Sequence, residues 1–138
     1  MSNKKILVVE DDADVRLGYN VLLKAHHYDM FFAADSLAAL SEARKHLPDL
    51  IILDLGLPAG DGFVVMDRLR ANTYLQLVPI IVVSARDIRG NQERALKAGA
   101  KAFVHKPWND DELLAIIGRL VGEPDPSPQE VSVERYDL

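Results

Sequence analysis

The chain has 138 residues, 49% of them hydrophobic and 27% charged, a balance that suits one globular domain with enough apolar surface to close a core. A formal net charge of -5 argues against holding a nucleic-acid backbone by charge, and the lack of cysteine excludes a disulfide framework or thiolate metal site and fits a reducing compartment. The apolar stretch after Met1-Ser2-Asn3-Lys4-Lys5 ends before Glu10, too short for a secretory core or a membrane span, so a cytoplasmic location away from membranes is expected.

The first element is Ile6-Leu7-Val8-Val9. The run is continuous rather than alternating and rich in branched side chains, as in strands buried on both faces. Asp12 then stands where a helix cap belongs, and Val15, Tyr19, Leu22 and Leu23 share one helical face. A weaker run from Tyr28 to Ala33 carries Asp29 and reads as an edge strand. Asp35-Ser36 opens a second helix, with Leu37, Leu40 and Leu47 assigned to its apolar face. Leu50-Ile51-Ile52-Leu53 is a second continuous strand. Asp61-Gly62 starts a helix that repeats Phe63, Met66 and Leu69, and Ile80-Ile81-Val82-Val83 is a third buried strand. Between Asp87 and Ala98 large apolar residues are few. Ile88 and Leu96 lead, and this helix is expected to be the least firmly packed. Ala102-Phe103-Val104 is a short strand ending before Lys106-Pro107. Asn109 precedes Glu112 by three residues, as in a capping box, ahead of Leu113, Ile116, Ile117 and Leu120. The stretch Gly122-Glu123-Pro124-Asp125-Pro126-Ser127-Pro128 cannot continue a helix. The chain thus divides into a folded domain over residues 1–121 and a Pro-rich acidic tail or linker over 122–138.

Strand and helix alternate five times. That order implies an α/β domain with a doubly wound, five-stranded parallel sheet and right-handed crossovers. The flavodoxin-like strand order 2-1-3-4-5 follows, with a crevice between the first and third strands, where helices diverge to opposite faces.

Each chemically distinctive group falls at the C-terminal end of a strand: Glu10, Asp11 and Asp12 after the first, Asp54 after the third, Ser84 after the fourth and Lys106 after the fifth. The topology brings them to one rim. Gathered carboxylates repel one another, and a hard divalent cation such as Mg²⁺ removes that cost. The cation would also let the negative Asp54 attack a negative phosphoryl donor. Lys106 adds a second positive charge, and Ser84 can donate a hydrogen bond to a phosphoryl oxygen. These are the needs of phosphoryl transfer to an in-line nucleophile. Taken singly, each residue has an ordinary reading as cap, turn or solvated surface. Their joint placement favours the functional one.

The ordered set Ile6 to Asp12, Leu53-Asp54-Leu55-Gly56-Leu57-Pro58, Asp61-Gly62, Val83-Ser84-Ala85 and Lys106-Pro107 resembles a bacterial response-regulator receiver domain over residues 4 to 121. The resemblance implies that Asp54 accepts a phosphoryl group from a phosphohistidine on a histidine kinase or phosphotransfer protein. It implies a signalling phosphoacceptor, which assists its own phosphorylation and dephosphorylation, rather than an enzyme. Asp11 and Asp54 would bind Mg²⁺ directly, Glu10 mainly through water, and Gly56 through its backbone carbonyl. Ser84 and Lys106 would grip phosphoryl oxygens, with Ser84 and Phe103 as the switch pair. The Lys106-Pro107 bond would be cis. The signal would leave by the face built from the helix after Ser84, the fifth strand and the last helix. Its receiver would be an output domain or target protein, and a phosphorylation-dependent dimer is a further expectation.

Some positions depart from the commonest pattern. Glu10 replaces an Asp, Gly56 puts no side chain over the pocket, and Arg86 puts a large cationic one there. Gly56 is expected to leave water a path that Arg86 partly obstructs. His26, His27, His46 and His105 show no metal-ligand spacing and read as surface or helix-end residues. Trp108 is expected to pack over the start of the last helix. A flavodoxin would share the fold, but Glu10-Asp11-Asp12 replaces its phosphate-cradling loop. An aspartate-nucleophile phosphatase would carry a second Asp where Gly56 stands. A receiver-like interaction module that is never phosphorylated is the remaining alternative.

Overall fold

The computed structural model describes residues 3–57, 61–85 and 88–122. Ten elements follow in strict alternation: β1 Lys5–Val9, α1 Ala13–Ala25, β2 Asp29–Ala33, α2 Ser36–His46, β3 Leu50–Asp54, α3 Asp61–Arg70, β4 Ile80–Ser84, α4 Ile88–Lys97, β5 Ala102–His105 and α5 Asp110–Val121. All strand pairs are parallel, in the order β2-β1-β3-β4-β5. The topology is therefore the expected doubly wound one. No helix among the described residues is long and apolar enough to cross a membrane.

The sheet lies between two helical layers because alternate strand residues point to opposite faces. Leu7, Val9, Ile51, Leu53, Ile80 and Val82 pack under α2, α3 and α4. Ile6, Val8, Leu50, Ile52, Ile81 and Val83 pack under α1 and α5. Every residue of β3 and β4 is buried, so those strands have no polar face to show in sequence. β2 is an edge strand, as its composition indicated, and leaves Phe32 52% exposed beneath the Arg16 guanidinium.

Capping side chains set the helix starts. An Asp12 oxygen accepts the amides of Asp14 and Val15 at 2.8 and 3.2 Å. Asp35 accepts Ala38 N–H at 2.8 Å and Asn109 accepts Glu112 N–H at 2.9 Å. Each such cap stabilises by about 1 kcal/mol. α3 opens at Asp61, as the Asp61-Gly62 signal indicated; the Asp61 side chain lies outside the described residues, as does that of Ile88.

α2 buries Leu40, as its pattern indicated, but not Leu37 or Leu47. In α2 the buried stripe is Ala39, Leu40 and Ala43, while Leu37 is 75% exposed. Leu47 is not helical at all; it caps α2 in the left-handed region at φ 48°. Among the described side chains of α4 the buried one is Ala95, and Leu96 next to it is 45% exposed. Alanine faces let a helix approach a sheet whose branched residues already fill the interlayer space. Residues 123–138 of the expected tail, Pro58 and Arg86 lie outside the described residues.

Candidate functional site

The residues that follow β1, end β3 and β4, and follow β5 meet at the C-terminal rim of the sheet. Glu10 extends β1 by one residue and donates its N–H to Ala33 O at 2.9 Å. Asp54 ends β3 opposite Val83, and Ser84 ends β4 opposite His105. Lys106 N–H donates to Ser84 O at 2.9 Å, which ties the lysine to the neighbouring strand end. The Lys106-Pro107 peptide is cis.

Carboxylate oxygens of Glu10, Asp11 and Asp54 all lie within 4.8 Å of one another. Glu10 and Asp54 are buried, and Asp11 is exposed. The Lys106 ammonium donates to Glu10 Oε1 at 2.7 Å and lies 3.6 Å from Asp54 Oδ2. The other Glu10 oxygen accepts Asp12 N–H at 3.2 Å. Asp54 Oδ1 accepts the Gly56 N–H at 3.0 Å. A β-carbon on Gly56 would sit 3.5 and 3.6 Å from the two Asp54 oxygens, so a longer side chain there would cover the carboxylate. Glycine keeps that approach open.

Burial raises the Glu10 pKa. The Lys106 hydrogen bond and the Asp12 amide oppose the rise, and the negative charge of Asp54 adds to it. Burial pulls Lys106 down, but its bond to Glu10 and the charges of Asp54 and Glu10 prevail and hold it above the ordinary lysine value. Two buried acids thus share one ammonium, and Glu10 remains partly uncompensated. The three carboxylates fit a hard divalent cation with several waters, such as Mg²⁺, by donor type and by spacing.

The structure brings Glu10, Asp11, Asp54 and Lys106 together, and places Gly56 against Asp54. Ser84 is wholly buried at the neighbouring strand end. Phe103 stands opposite Val82, further from the rim, and packs partly buried against the core on the α4 side of the sheet. The histidines are at surface and helix-end positions: His26 caps α1, His46 ends α2 and stacks on Phe31 at 3.8 Å, and His27 and His105 are exposed.

Four further residues frame the site, and of these only Gly62, in the Asp61-Gly62 pair, carried a sequence signal that pointed to it. Tyr19, fully buried in α1, stacks on Trp108 at 4.3 Å. Its hydroxyl lies in the field of Glu10 and Asp54, and burial first, then those charges, push its pKa up. Trp108 therefore packs across to α1 as well as over α5, where its indole N–H donates to Asp110 at 2.9 Å. Arg16 donates to the Glu10 carbonyl at 2.9 Å. Gly62 lies against the Asp54 backbone, where a β-carbon would fall 2.9 Å from Asp54 O and 3.0 Å from Leu55 Cα.

A doubly wound sheet with a buried aspartate, two further acids and a lysine at one rim defines a phosphoacceptor signalling domain. The family model for the response regulator receiver domain matches residues 6–118. The chain is 38% identical over 117 residues to the response regulator PleD of Caulobacter vibrioides, covering 84% of this chain and 26% of PleD. It is 31% identical over 120 residues to the polar-differentiation response regulator DivK of Brucella anthropi, covering 87% of this chain and 98% of DivK. The chain thus spans about a quarter of PleD's length and nearly all of DivK's. Among solved structures, the receiver domain of the sensor histidine kinase PA1611 from Pseudomonas aeruginosa, with a magnesium ion coordinated in its active-site cleft, aligns with a TM-score of 0.81 at 30% identity. That alignment covers 88% of this chain and 100% of that one. The chemotaxis response regulator CheY4 of Vibrio cholerae aligns at 0.80 and 27%, covering 86% and 99%. The chain belongs to the response regulator receiver domain family of two-component signalling.

Proposed function

We propose that Asp54 receives a phosphoryl group from a phosphohistidine on a histidine kinase or phosphotransfer protein. In that transfer the donor P–N bond breaks, a P–O bond to Asp54 forms, and the histidine nitrogen leaves with its electron pair. The observation that carries this reading is the meeting of three carboxylates within 4.8 Å, with the Lys106 ammonium among them. Asp11, Asp54 and the Gly56 carbonyl would hold Mg²⁺ directly. Both Glu10 oxygens already accept hydrogen bonds, which supports a role for Glu10 through water. Bound there, Mg²⁺ would supply positive charge against the donor's phosphoryl oxygens.

This chain's residues do the rest. The Gly56 amide orients Asp54 by bonding one oxygen and leaving the other as nucleophile. Lys106 moves from Glu10 to a phosphoryl oxygen, an exchange of one anionic partner for another. Ser84 donates to a second phosphoryl oxygen. Gly56 leaves a path for water, so the domain also assists loss of the group. Ser84 and Phe103 form the switch, and α4, β5 and α5 form the output surface. The receiver domain occupies residues 1–121, with 122–138 as tail or linker. The protein works in the cytoplasm on a downstream output domain or target protein, dimerises on phosphorylation, and binds no nucleic acid itself.

The test is incubation with acetyl phosphate and Mg²⁺, followed by intact mass. A gain of one phosphoryl group is expected in the wild type, and none in Asp54→Asn. Equal masses before and after would reject the phosphoacceptor role and favour a receiver-like interaction module.

A further inference from the structure

The end of the sheet opposite Asp54 holds a small cavity of about 210 Å³. It lies between the turn that follows α3 and the turn that joins α4 to β5, where β4 begins at Ile80 and Lys101 precedes β5. Lys101 N–H donates to Ile80 O at 2.8 Å and ties the two strand starts together. Ile80 starts the strand that Ser84 ends, so the cavity is about 13 Å along β4 from the Asp54 rim. Its floor is apolar: Leu69, Leu75 and Ile80 line it, and all three are buried. Its charge comes from Arg70 and Lys101, and among the described residues no acidic side chain lines it.

Arg70 is set in place. Its guanidinium donates to Ala98 O at 2.9 Å. Gly99, at φ 111°, leaves room for it, because a β-carbon there would fall on the guanidinium. A guanidinium has five N–H donors, and the Ala98 carbonyl is the single acceptor of Arg70 among the described residues. The Lys101 ammonium has no acid partner among them. Two like charges on one small cavity repel. An anion between them removes that cost and takes up donors that Arg70 has to spare.

We propose that this cavity binds a small organic anion, a carboxylate on a short apolar chain. The carboxylate matches the guanidinium fork of Arg70 and lies near Lys101, while the chain rests on Leu69, Leu75 and Ile80. At about 30 Å³ for each water-sized group, the cavity has room for about seven non-hydrogen atoms. A five-carbon acid fits, and a nucleotide does not. None of these residues belongs to the Asp54 rim, and binding does not depend on its phosphorylation.

The experiment is a titration of the full chain with pentanoate, acetate and inorganic phosphate, in Mg²⁺-free buffer at fixed ionic strength. Amide shifts of Gly99 and Lys101 report the cavity, and those of Gly56 and Lys106 serve as the control pair. Pentanoate should give saturable shifts at Gly99 and Lys101 alone. It should bind about tenfold or more tightly than acetate, since each buried CH₂ contributes about fourfold. Arg70→Gln should weaken pentanoate about ten- to a hundredfold, the range of a charged hydrogen bond, and Lys101→Met about two- to fivefold. Lys101 is exposed, so its variant and the anion series decide the matter even if Arg70→Gln folds poorly. Shifts that do not saturate, or that fall on Gly56 and Lys106 instead, overturn the site. So do equal affinities for the three anions, or a Lys101→Met protein that binds pentanoate as the wild type does.

Discussion

Replacing Lys106 by alanine should destabilise the protein in a way that a divalent cation reverses. The ammonium lies 2.7 Å from a Glu10 oxygen and 3.6 Å from an Asp54 oxygen. At an effective dielectric near 20 these separations give about 6 and about 5 kcal/mol of gross attraction. Desolvation of the three groups offsets most of this, and removing one partner of a buried pair costs about 3–5 kcal/mol. The lysine side chain is 18% exposed, and a buried Glu10 can take up a proton. The expected loss is therefore smaller, about 2–3 kcal/mol near pH 8. Near pH 5 it should shrink, because without Lys106 the Glu10 pKa rises further and the acid is neutral. Saturating Mg²⁺ at about a hundred times its Kd stabilises by about 2.7 kcal/mol, and the variant should gain more than the wild type, since no ammonium then competes for the acids. Urea melts of both proteins, with and without Mg²⁺ and near both pH values, measure all of this. An equal Mg²⁺ increment in the two proteins, or a loss that ignores pH, would refute the reasoning.

Three other outcomes follow from the packing and the charges. Gly62→Ala forces a β-carbon against Asp54 O and Leu55 Cα; it should cost about 1–3 kcal/mol in denaturant melts and slow acetyl phosphate labelling of Asp54. Leu96→Ser on the exposed side of α4 should change stability by less than about 0.5 kcal/mol, while Ala95→Leu on its buried side should cost about 1–3 kcal/mol by overpacking; equal effects of the two would reverse the assigned face. In cation-free buffer the raised Glu10 pKa means the folded state holds a proton that the unfolded chain releases, so Glu10 lowers stability as pH climbs from its ordinary value of 4.5 through the raised one. Glu10→Gln should flatten that part of the melt-against-pH profile.

Much of the fold was legible because its determinants are local. Ile6–Val9, Leu50–Leu53 and Ile80–Val83 are continuous branched runs, and only strands covered on both faces tolerate them. Asp12, Asp35 and Asn109 cap helices by hydrogen bonds to amides two or three residues on, so spacing alone finds them. The alternation of elements limits the topology to few choices, and the distinctive side chains of the rim follow from knowing where strands end.

What the sequence left open depended on three-dimensional competition. Periodicity tells which residues share a helical face, but Leu37 and Leu96 drew attention by size, while the sheet accepted Ala39, Ala43 and Ala95. Space between the layers decides that, and it is set by strands far away in the chain. Lys106 could reach either acid; its close contact with Glu10 over Asp54 depends on how β1, β3 and β5 terminate beside one another. The stacking of Tyr19 on Trp108 and the contact of Arg94 with Phe63 likewise join residues remote in sequence. Local chemistry chose the elements, and the packing of the layers chose their partners, because side-chain contacts across a sheet are settled only when all the strands and helices are in place.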